Sequence, residues 1–325
     1  MTSIRRIAVL TSGGDSPGMN AAVRAVARAA DAAGVGCVGV SDGYRGMIQG
    51  QIRPLDARDV SGIIQLGGTV LGTARSKKFY TEEGRAKAAT NLRNAGVDSV
   101  VVIGGDGSMH GAELLSQEHG FNVVGVPGTI DNDLSGTDFT LGFDTAVNTA
   151  LEAIDKIRDT AASHNRLFFI EVMGRNAGWI ALYSGLSGGA TAVLVPESDW
   201  DEDNIRRKVV ESFALGKRFC IVVVAEGERE GGAFGVAQRI CEATELDYRV
   251  STLGHMQRGG APTMRDRILG ARLGDGAVTA LLDGDNEVMI GERKLEIIRT
   301  PFQETWTTDD RDFGGLLALM DRLAR

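Results

Sequence analysis

The sequence has little proline, few cysteines and no long apolar run. Its 325 residues include 6 prolines and 3 cysteines, whereas glycine accounts for 44. Many glycines with few prolines indicate tight turns and close backbone contacts inside compact domains, and argue against disordered linkers. The cysteines, Cys37, Cys220 and Cys241, lack any C-x-x-C pair and are predicted to be small core residues in a reducing compartment.

A membrane-spanning run and an excess of positive charge are also missing. The longest apolar run, FCIVVVA (219–225), is far shorter than a membrane span. The apolar stretch behind the basic N-terminus ends at residue 10, too short for the core of a signal peptide, so we expect a soluble, cytoplasmic protein. The net charge of −8 argues against nucleic acid or anionic membrane as the main partner, but it is compatible with local basic pockets for small phosphates.

Apolar segments alternate with amphipathic segments along the chain. This alternation predicts an α/β fold in which mostly parallel sheets are covered by helices on both faces, and the length suggests two domains. The predicted strands are 7–10, 35–40, 100–105, 122–126, 166–172, 191–196 and 219–227. The predicted helices include 21–34, 84–96 and 149–164. Composition alone marks no boundary between the domains.

The stretch PGTIDND (127–133) is the first candidate for chemistry. It presents Asp131 and Asp133 behind a Pro-Gly turn, directly after a predicted strand. Open α/β sheets bind ligands outside the carboxyl ends of their strands, and an acidic loop there can hold a metal or take a proton from a hydroxyl. The alternative is an Asx-rich turn that satisfies its own backbone. This stretch taken alone does not decide between the two interpretations.

Glycine-rich loops after other strands are candidate phosphate sites. TSGGDSPGMN (11–20) leads from a strand into a helix N-terminus, and GGTVLGTARSKK (67–78) adds Arg75 to a glycine-rich loop. GGDGS (104–108) sets one aspartate between glycines, where it could coordinate Mg²⁺. The alternative for 11–20 is a tight strand-to-helix turn, and the alternative for 67–78 is a solvated basic loop. GVGCVG (34–39) matches the dinucleotide fingerprint but lies within a predicted strand, so we reject that interpretation.

Cationic positions recur in the second half of the chain. MGRNAG places Arg175 on a glycine-flanked turn after a strand, and Glu226 ends another strand. In RVSTLGHMQRGG, Arg249, His255 and Arg258 could converge on one phosphate group. A lone histidine is more often structural, but two bracketing arginines favour a functional role here.

Taken in order, these motifs resemble those of the 6-phosphofructokinases. The resemblance runs from TSGGDSPGMN through GGDGS, PGTIDND, MGRNAG and R-x5-H-x2-RGG to about Phe302. It implies two Rossmann-like α/β/α domains with the active site in the cleft between them. The nucleotide-binding domain is expected at 1–141 plus about 257–305, and the fructose 6-phosphate-binding domain at about 142–256 plus 306–325.

The resemblance also implies roles for individual residues. Asp131 would be the general base that takes the proton from the C1 hydroxyl of fructose 6-phosphate, with Thr129, Asp133 and Arg175 assisting, and Asp106 would accompany Mg²⁺. The positions that match ATP contacts are Gly14, Arg75, Ser76, Gly105, Asp106, Gly107 and Ser108. The positions that match substrate contacts are Thr129, Ile130, Asp131, Arg166, Met173, Gly174, Arg175, Glu226, Arg249, His255, Met256, Gln257 and Arg258.

Two further expectations concern assembly and the phosphoryl donor. Arg166 and Arg249 match residues that reach in from a neighbouring subunit, which implies a homo-oligomer and usually a homotetramer. In pyrophosphate-dependent members, the positions of Gly107 and Gly128 tend to be Asp and Lys. An aspartate at position 107 would crowd and repel the α-phosphate region of ATP, so ATP is the expected donor.

The effector pocket is expected to be present but altered. The positions that match contacts to the phosphates of an allosteric nucleotide or phosphoenolpyruvate are Arg24, Arg28, Arg158 and Lys217. However, Ala57, Leu215 and Phe219 stand where basic residues are typical in well-known bacterial members. We therefore expect a weak or changed response to ADP and phosphoenolpyruvate.

Three alternatives compete with an ATP-dependent glycolytic kinase. A pyrophosphate-dependent phosphofructokinase is the nearest of them. Kinases of NAD or lipids share GGDG, but they lack PGTIDND and H-x2-RGG. An inactive regulatory paralogue would lack a carboxylate of the site, whereas Asp106, Asp131 and Asp133 are all present.

Overall fold

Strands and helices alternate in the computed structural model, which describes residues 4–161, 166–227, 231–242, 244, 246–307 and 310–324. The strands are β1 (Arg6–Thr11), β2 (Gly36–Val40), β3 (Ile52–Pro54), β4 (Ser99–Gly104), β5 (Asn122–Pro127), β6 (Leu167–Val172), β7 (Ala192–Leu194), β8 (Cys220–Ala225), β9 (Tyr248–Thr252), β10 (Val288–Arg293) and β11 (Glu296–Pro301). The α-helices are α1 (Met19–Ala32), α2 (Gly43–Gln49), α3 (Glu82–Asn94), α4 (Asp106–His119), α5 (Phe143–Ala161), α6 (Trp179–Ser187), α7 (Glu202–Ala214), α8 (Gly232–Cys241), α9 (Met264–Asp283), α10 (Phe302–Thr305) and α11 (Phe313–Leu323). Short 3₁₀-helices cover Lys77–Tyr80 and Gly254–Arg258.

The chain divides into two units, each built from two segments. The first unit comprises Met1–Thr145 and Arg258–Asp310, and the second comprises Ala146–Gln257 and Arg311–Arg325. The chain therefore leaves the first unit after Thr145 and re-enters it at Arg258.

The first unit contains a seven-stranded sheet in the order β11-β10-β5-β4-β1-β2-β3. The five inner strands are parallel, while β3 and β11 pair antiparallel at the two edges. Alternate residues of β1 enter different cores: Ile7 and Val9 pack with α1 and α9, and Ala8 and Leu10 pack with α3 and α4. Burial on both faces explains why the inner strands read as continuous apolar runs.

Glycines allow α9 to approach α1 closely. A β-carbon at Gly270 would lie 2.9 Å from the carbonyl oxygen of Gly18, and one at Gly274 would lie 2.7 Å from that of Ala22. Both distances are too short for a real side chain. The high glycine content thus serves close backbone packing at this helix pair, as the sequence predicted.

The second unit contains a four-stranded parallel sheet in the order β7-β8-β6-β9. Helices α7 and α8 contribute to an apolar core with β6, β7 and β8. Helix α6 lies against β7 and β8, and α11 packs on α6, where the rings of Trp179 and Phe313 are 4.7 Å apart.

The predicted α/β fold with mostly parallel sheets is confirmed. Each of the seven segments predicted as strands contains an observed strand. GVGCVG lies at β2 and opens no helix, as expected. The predictions did not include β3, β9, β10 or β11. Residues 162–164 of the predicted helix 149–164 lie outside the described residues. Within the described ranges, no helix is long and apolar enough to cross a membrane.

Candidate active site

The loop after β1 lies beside the start of α4. The amide of Ser12 donates to the carbonyl oxygen of Ile103 at 2.9 Å, because β1 and β4 are parallel neighbours. Gly13 has a φ of 88°, and a β-carbon there would lie 3.5 Å from Oγ of Ser108. Two predicted phosphate loops, 11–20 and 104–108, therefore meet at the carboxyl end of adjacent strands.

The glycine-rich loop 67–78 is bound to the loop after β1. The hydroxyl of Thr73 donates to the carbonyl of Gly13 at 2.8 Å, and that of Thr11 donates to the carbonyl of Gly72 at 2.8 Å. These bonds hold the loop that contains Arg75 and Ser76 against the loop after β1. Arg75 is exposed and Ser76 is half-buried.

Asn20 fixes the first part of that loop and was not predicted. It is fully buried; its amide group donates to the carbonyls of Leu66 and Gly67, at 3.1 and 3.3 Å. Its carbonyl oxygen accepts from the amide of Val70 at 2.7 Å. The asparagine closes the motif TSGGDSPGMN, but its partners are about 50 residues away, so no local pattern revealed its role.

GGDGS forms a tight entry into α4. Gly104 has no room for a side chain, because a β-carbon would lie 2.5 Å from Oγ of Ser108. Gly105 is the N-cap, and Asp106 occupies the first helical turn with a half-exposed side chain. At Gly107 a β-carbon would meet nothing within 4 Å, so there is open space at the next position of the helix.

The surroundings of Asp106 fit a nucleotide-bound Mg²⁺. Mg²⁺ is usually held by one or two carboxylates together with substrate phosphates and waters, and seldom by an all-protein cage. Among the residues described, no group of three or more His, Cys, Asp or Glu side chains is placed to hold an ion. One half-exposed carboxylate at a helix N-terminus beside open space agrees with that mode of binding.

The loop PGTIDND is buried and internally bonded. Asp131 is 6% exposed, and its amide donates to Oγ1 of Thr129 at 3.1 Å. Thr140 holds the loop from behind: its hydroxyl donates to the carbonyl of Thr129 at 2.6 Å, and its amide donates to Oδ1 of Asn132 at 2.8 Å. Asp133, by contrast, is exposed. The two predicted carboxylates therefore differ in environment.

The PGTIDND loop is bonded to GGDGS through the amide of Gly128, which donates to the carbonyl of Gly104 at 2.9 Å. A β-carbon at Gly105 would lie 3.6 Å from Cβ of Thr129, which is ordinary van der Waals contact. Gly128 is packed more tightly, since a β-carbon there would lie 3.0 Å from Cε of Met19 and 3.2 Å from the amide nitrogen of Gly104.

Arg258 lies at the phosphate loop of the first unit. Its Nη1 donates to the carbonyl of Asp15 at 3.1 Å. A β-carbon at Gly14 would lie 2.5 Å from the same nitrogen, so the guanidinium lies directly on the glycine backbone. The structure thus joins a residue predicted to contact the sugar phosphate with one predicted to contact the nucleotide.

In the second unit, the turn after β6 presents Met173, Gly174 and Arg175. Gly174 cannot carry a side chain, because a β-carbon would lie 2.3 Å from the carbonyl oxygen of Ala177. Arg175 adopts a left-handed φ of 56° and is exposed. Such a conformation costs a non-glycine residue of order 1 kcal/mol and is concentrated at functional sites.

Neighbouring segments are bound to the same turn. The amide of Glu226 donates to the carbonyl of Val172 at 2.8 Å, directly beyond β8. Gln257 is fully buried, and its Oε1 accepts from the amide of Met173 at 2.8 Å. His255 is exposed in the 3₁₀-helix that ends at Arg258. Parallel strands β6, β8 and β9 thereby bring three predicted substrate segments to one end of their sheet.

Arg166 and Arg249 lie at the opposite end of that sheet. Both contact Asp247, with Nε of Arg166 3.6 Å from Oδ2 and Nη1 of Arg249 2.6 Å from Oδ1. Arg249 pairs with Phe168 near the beginning of β6. Strands rise roughly 3.3 Å per residue, so Arg249 is roughly 16 Å from the Met173 turn along the strand direction. Within one chain, Arg249 and His255 therefore lie at different ends of this sheet.

The predicted effector residues of the first unit lie on α1. Arg24 is half-buried and Arg28 is exposed. Nη2 of Arg28 is 3.4 Å from the carbonyl oxygen of Ala57. At position 57, where the sequence resemblance predicts a basic side chain, the group that lies near Arg28 is therefore a backbone carbonyl.

The predicted effector residues of the second unit are engaged by their own unit. Arg158 forms an ion pair with Asp155 at 3.2 Å, and Nζ of Lys217 donates to the carbonyl of Ala324 at 2.9 Å. Leu215 is 82% exposed and supplies no charge.

The predicted site residues of the two units offer different chemistry. The first unit offers glycine amides, helix N-termini, an arginine and carboxylates, which suit a polyphosphate with a metal and a base. The second unit offers a strained arginine turn with a glutamate and a histidine, which suits a phosphorylated and hydroxylated small molecule.

Comparison with known proteins identifies relatives along nearly the whole chain. The family model described as phosphofructokinase matches residues 6–281. The chain is 59% identical over 301 residues to the ATP-dependent 6-phosphofructokinase 1 of Thermus thermophilus, covering 93% of this chain and 94% of that protein. It is 55% identical over 295 residues to the ATP-dependent 6-phosphofructokinase of Bacillus licheniformis, covering 91% and 92% respectively.

Solved structures agree with the fold. Phosphofructokinase from Saccharomyces cerevisiae aligns with a TM-score of 0.89 and 39% identity; the match covers 92% of this chain but 45% of the yeast chain. A pyrophosphate-dependent phosphofructokinase from Marinobacter aquaeolei aligns with a TM-score of 0.82, covering 98% and 91%, and at 23% identity it speaks for the fold alone.

Proposed function

Because this chain belongs to the phosphofructokinase family, we propose that it transfers the γ-phosphoryl group of ATP to the C1 hydroxyl of fructose 6-phosphate. The products are fructose 1,6-bisphosphate and ADP, and the reaction is a step of glycolysis, which we expect in the cytoplasm. One observation carries the proposal beyond family membership: the buried PGTIDND loop is bonded to GGDGS, because the amide of Gly128 donates to the carbonyl of Gly104 at 2.9 Å.

Asp131 is proposed as the general base. It takes the proton of the C1 hydroxyl as the new O–P bond forms and the bond from the γ-phosphorus to the β,γ-bridging oxygen breaks. Burial of the loop and its bonds to Thr129 and Thr140 hold the carboxylate in one place. Base assistance of this kind contributes typically ~10²–10⁴-fold. Thr129 and Asp133 support the same loop, and Asp133 borders solvent.

The nucleotide phosphates are proposed to bind at the first unit. The backbone of Gly14 and Gly105 to Gly107 supplies N–H donors, with Ser108 next in the helix. Arg75 and Ser76 border them on the loop tied to Gly13. When bound, a Mg²⁺ ion at Asp106 would neutralise charge that develops on the transferred group. Positioning and charge neutralisation are the main parts of catalysis in phosphoryl transfer.

Fructose 6-phosphate is proposed to bind the segments that follow β6, β8 and β9. The predicted contacts on these segments are Met173, Gly174, Arg175, Glu226, His255, Met256 and Gln257. The predicted contacts of the first unit are Thr129, Ile130 and Arg258. Arg166 and Arg249 face the other end of their sheet. That position supports a homo-oligomer, proposed as a homotetramer, in which both arginines serve the site of a neighbouring subunit.

ATP is favoured over pyrophosphate as the donor. The curated relatives at 50–59% identity are named ATP-dependent. Gly107 leaves the open space that an aspartate would fill with negative charge, and Gly128 is too tightly packed for a lysine without displacement of its neighbours.

The effector pocket is proposed to respond weakly to ADP and phosphoenolpyruvate. Ala57, Leu215 and Phe219 replace basic residues, and Lys217 is bonded to the carbonyl of Ala324. Titration of both effectors at subsaturating fructose 6-phosphate tests this, and a strong conventional response would contradict it.

A coupled assay of the purified chain tests the proposed reaction. Fructose 6-phosphate and Mg²⁺ are held constant while ATP is compared with pyrophosphate, and fructose 1,6-bisphosphate is measured as the product. ATP-dependent turnover is expected; a clear preference for pyrophosphate would overturn the donor, and absence of turnover with either would overturn the function.

A further inference from the structure

Three helix N-termini of the first unit meet at one buried residue, Asp266. Gly18 is the N-cap of α1, and a β-carbon there would lie 3.3 Å from Cβ of Asp266. Helix α5 begins at Phe143, and Thr263 is the N-cap of α9, the helix that carries Asp266. Asp266 is fully buried, and neither the motifs nor the proposed reaction uses it.

The carboxylate of Asp266 caps α5 from another helix. Its Oδ1 accepts from the amide of Gly142 at 2.9 Å. Its Oδ2 accepts from the amide of Thr145 at 2.9 Å and from the hydroxyl of Thr145 at 2.5 Å. Anionic groups are stabilised at helix N-termini because the unpaired N–H groups carry partial positive charge.

Helix α5 caps α9 in return. The hydroxyl of Thr145 accepts from the amide of Thr263 at 3.0 Å. The hydroxyl of Thr263 accepts from the amide of Asp266 at 3.3 Å and donates to Oδ2 of Asp144 at 2.7 Å. Each hydroxyl therefore acts once as donor and once as acceptor, which closes a cycle that permits a single arrangement of the two helix ends.

Each of the three helices is entered from a segment of the candidate active site. The loop with Gly14 leads into α1, the loop with Asp131 leads into α5, and the segment with Arg258 leads into α9. The first two also touch behind the site, because a β-carbon at Gly142 would lie 2.6 Å from Cβ of Ser16.

We propose that Asp266 is a positioning residue for phosphoryl transfer, which fixes the phosphate loop, the base loop and the Arg258 segment relative to one another. It touches no reacting group; its carboxylate acts through the amides of Gly142 and Thr145 and the hydroxyl of Thr145. The proposal rests on the proposed function, since it concerns the alignment of that site. A misplacement of about 1 Å at a reacting centre can reduce the rate by roughly 10²-fold.

Thr145→Val and Thr145→Ser form the matched test. Valine keeps the shape of threonine but leaves Oδ2 of Asp266 and the amide of Thr263 each without one bond, whereas serine retains the hydroxyl. We expect Thr145→Val to lower kcat by about 10-fold to 100-fold at saturating substrates, with KM changed less than about threefold, and Thr145→Ser to retain most of kcat.

Several controls separate positioning from general stability. Thr263→Ala and Thr263→Ser repeat the comparison at the second hydroxyl, should Thr145→Val not fold. Asp275→Asn removes an exposed carboxylate of the same helix and is expected to leave kcat unchanged. A valine variant with lowered thermal stability but wild-type kcat below its melting temperature would overturn the proposal.

Amide hydrogen exchange gives a second readout that needs no turnover. Peptides covering 11–18 and 127–142 are expected to exchange faster in Thr145→Val than in Thr145→Ser. Equal exchange in the two variants would overturn the positioning role even if the wild-type chain converted none of the tested substrates. Failure of the wild-type assay would overturn the proposed function independently of this comparison.

Discussion

The guanidinium of Arg258 lies on the backbone of Gly14, and these residues are separated by most of the sequence. A β-carbon at Gly14 would be 2.5 Å from Nη1 and 3.1 Å from Cζ of Arg258. Position 14 therefore controls where the arginine charge stands relative to the phosphate loop.

Gly14→Ala is expected to lower kcat/KM by about tenfold or more, while the melting temperature changes little. The methyl group displaces only the flexible end of Arg258, so the structural cost is small, whereas a charge-assisted phosphate contact contributes about 1.5–3 kcal/mol. Steady-state kinetics and thermal unfolding measure the two effects. Gly314→Ala, where a β-carbon meets nothing within 4 Å, is the matched control, and equal kinetics in both variants would contradict the prediction.

Asp131→Ser is expected to lower kcat by about 10²–10⁴-fold, because the C1 hydroxyl loses its base. Binding of fructose 6-phosphate, measured by calorimetry, is expected to change little. The comparison variant is Asp133→Ser, whose carboxylate is exposed on the same loop and whose loss of kcat should be smaller. A near-wild-type kcat in Asp131→Ser would remove Asp131 from the role.

Gly107→Asp is expected to reduce kcat/KM for ATP by at least about tenfold without loss of fold. Open space at position 107 accommodates the side chain, but at the proposed nucleotide site its negative charge would repel the phosphates of ATP. Gly107→Asn is the control of similar size and no charge, and should lose less. The prediction fails if the two variants lose ATP activity equally, since the effect would then be steric.

A mixture of two inactive variants is expected to regain activity. If Arg249 serves a neighbouring subunit, oligomers that combine Asp131→Ser chains with Arg249→Ala chains contain sites with an intact base and an intact arginine. The chains are unfolded and refolded together, and the activity is compared with that of each variant refolded alone. No gain over the separate variants would speak against shared active sites.

The stability of the chain is expected to depend on the ionisation of Asp266. Burial raises the pKa of the Asp266 carboxyl from 3.8 to about 6, although hydrogen bonds from Thr145 and Gly142 oppose the shift, and Asp144 adds to it. The folded state then binds the proton more tightly than the unfolded state. The stabilising contribution of protonated Asp266 is fully present below about pH 3.8 and is lost as the pH rises through about 6.

Urea unfolding of the wild type and of Asp266→Asn, each at several pH values, measures this contribution. The free energy of unfolding of the wild type should fall relative to the variant by up to about 3 kcal/mol between about pH 4 and pH 7. Asp275→Asn controls for the loss of one negative charge on α9. A constant difference across this range would show that the environment of Asp266 does not shift its pKa.

The strands of the sheet interiors could be predicted because burial on both faces leaves unbroken apolar runs. β4 is buried at every residue, and its sequence reads as a strand without further information. β11 alternates exposed and half-buried positions with charged residues, and β3 has only three residues, so neither leaves such a signal. The pairing of β10 with β5 joins segments about 160 residues apart, which no local pattern encodes.

The loops of the site could be located from motifs, but their mutual contacts could not. Arg249 and His255 are close in sequence, yet β9 carries Arg249 at the opposite end of the sheet from His255. Asn20, Thr73 and Asp266 act on distant partners through side chains that are common in turns and caps. Thr263 and Asp266 have the spacing of a helix cap. This spacing is the one local sequence pattern that indicates the hydrogen-bonded cycle of Thr145, Thr263 and Asp266.

The return of the chain to its first unit has a consequence during synthesis. Until residues after 258 leave the ribosome, β5 has no partner on its outer edge and α1 lacks α9, so the emerging N-terminal segment exposes an open strand and an apolar helix face. The second unit, whose sheet lies entirely between β6 and β9, has its strands complete earlier. The sheets can thus be completed in a different order from the one in which their first strands are translated. We expect the nascent N-terminal half to be the part that a chaperone protects.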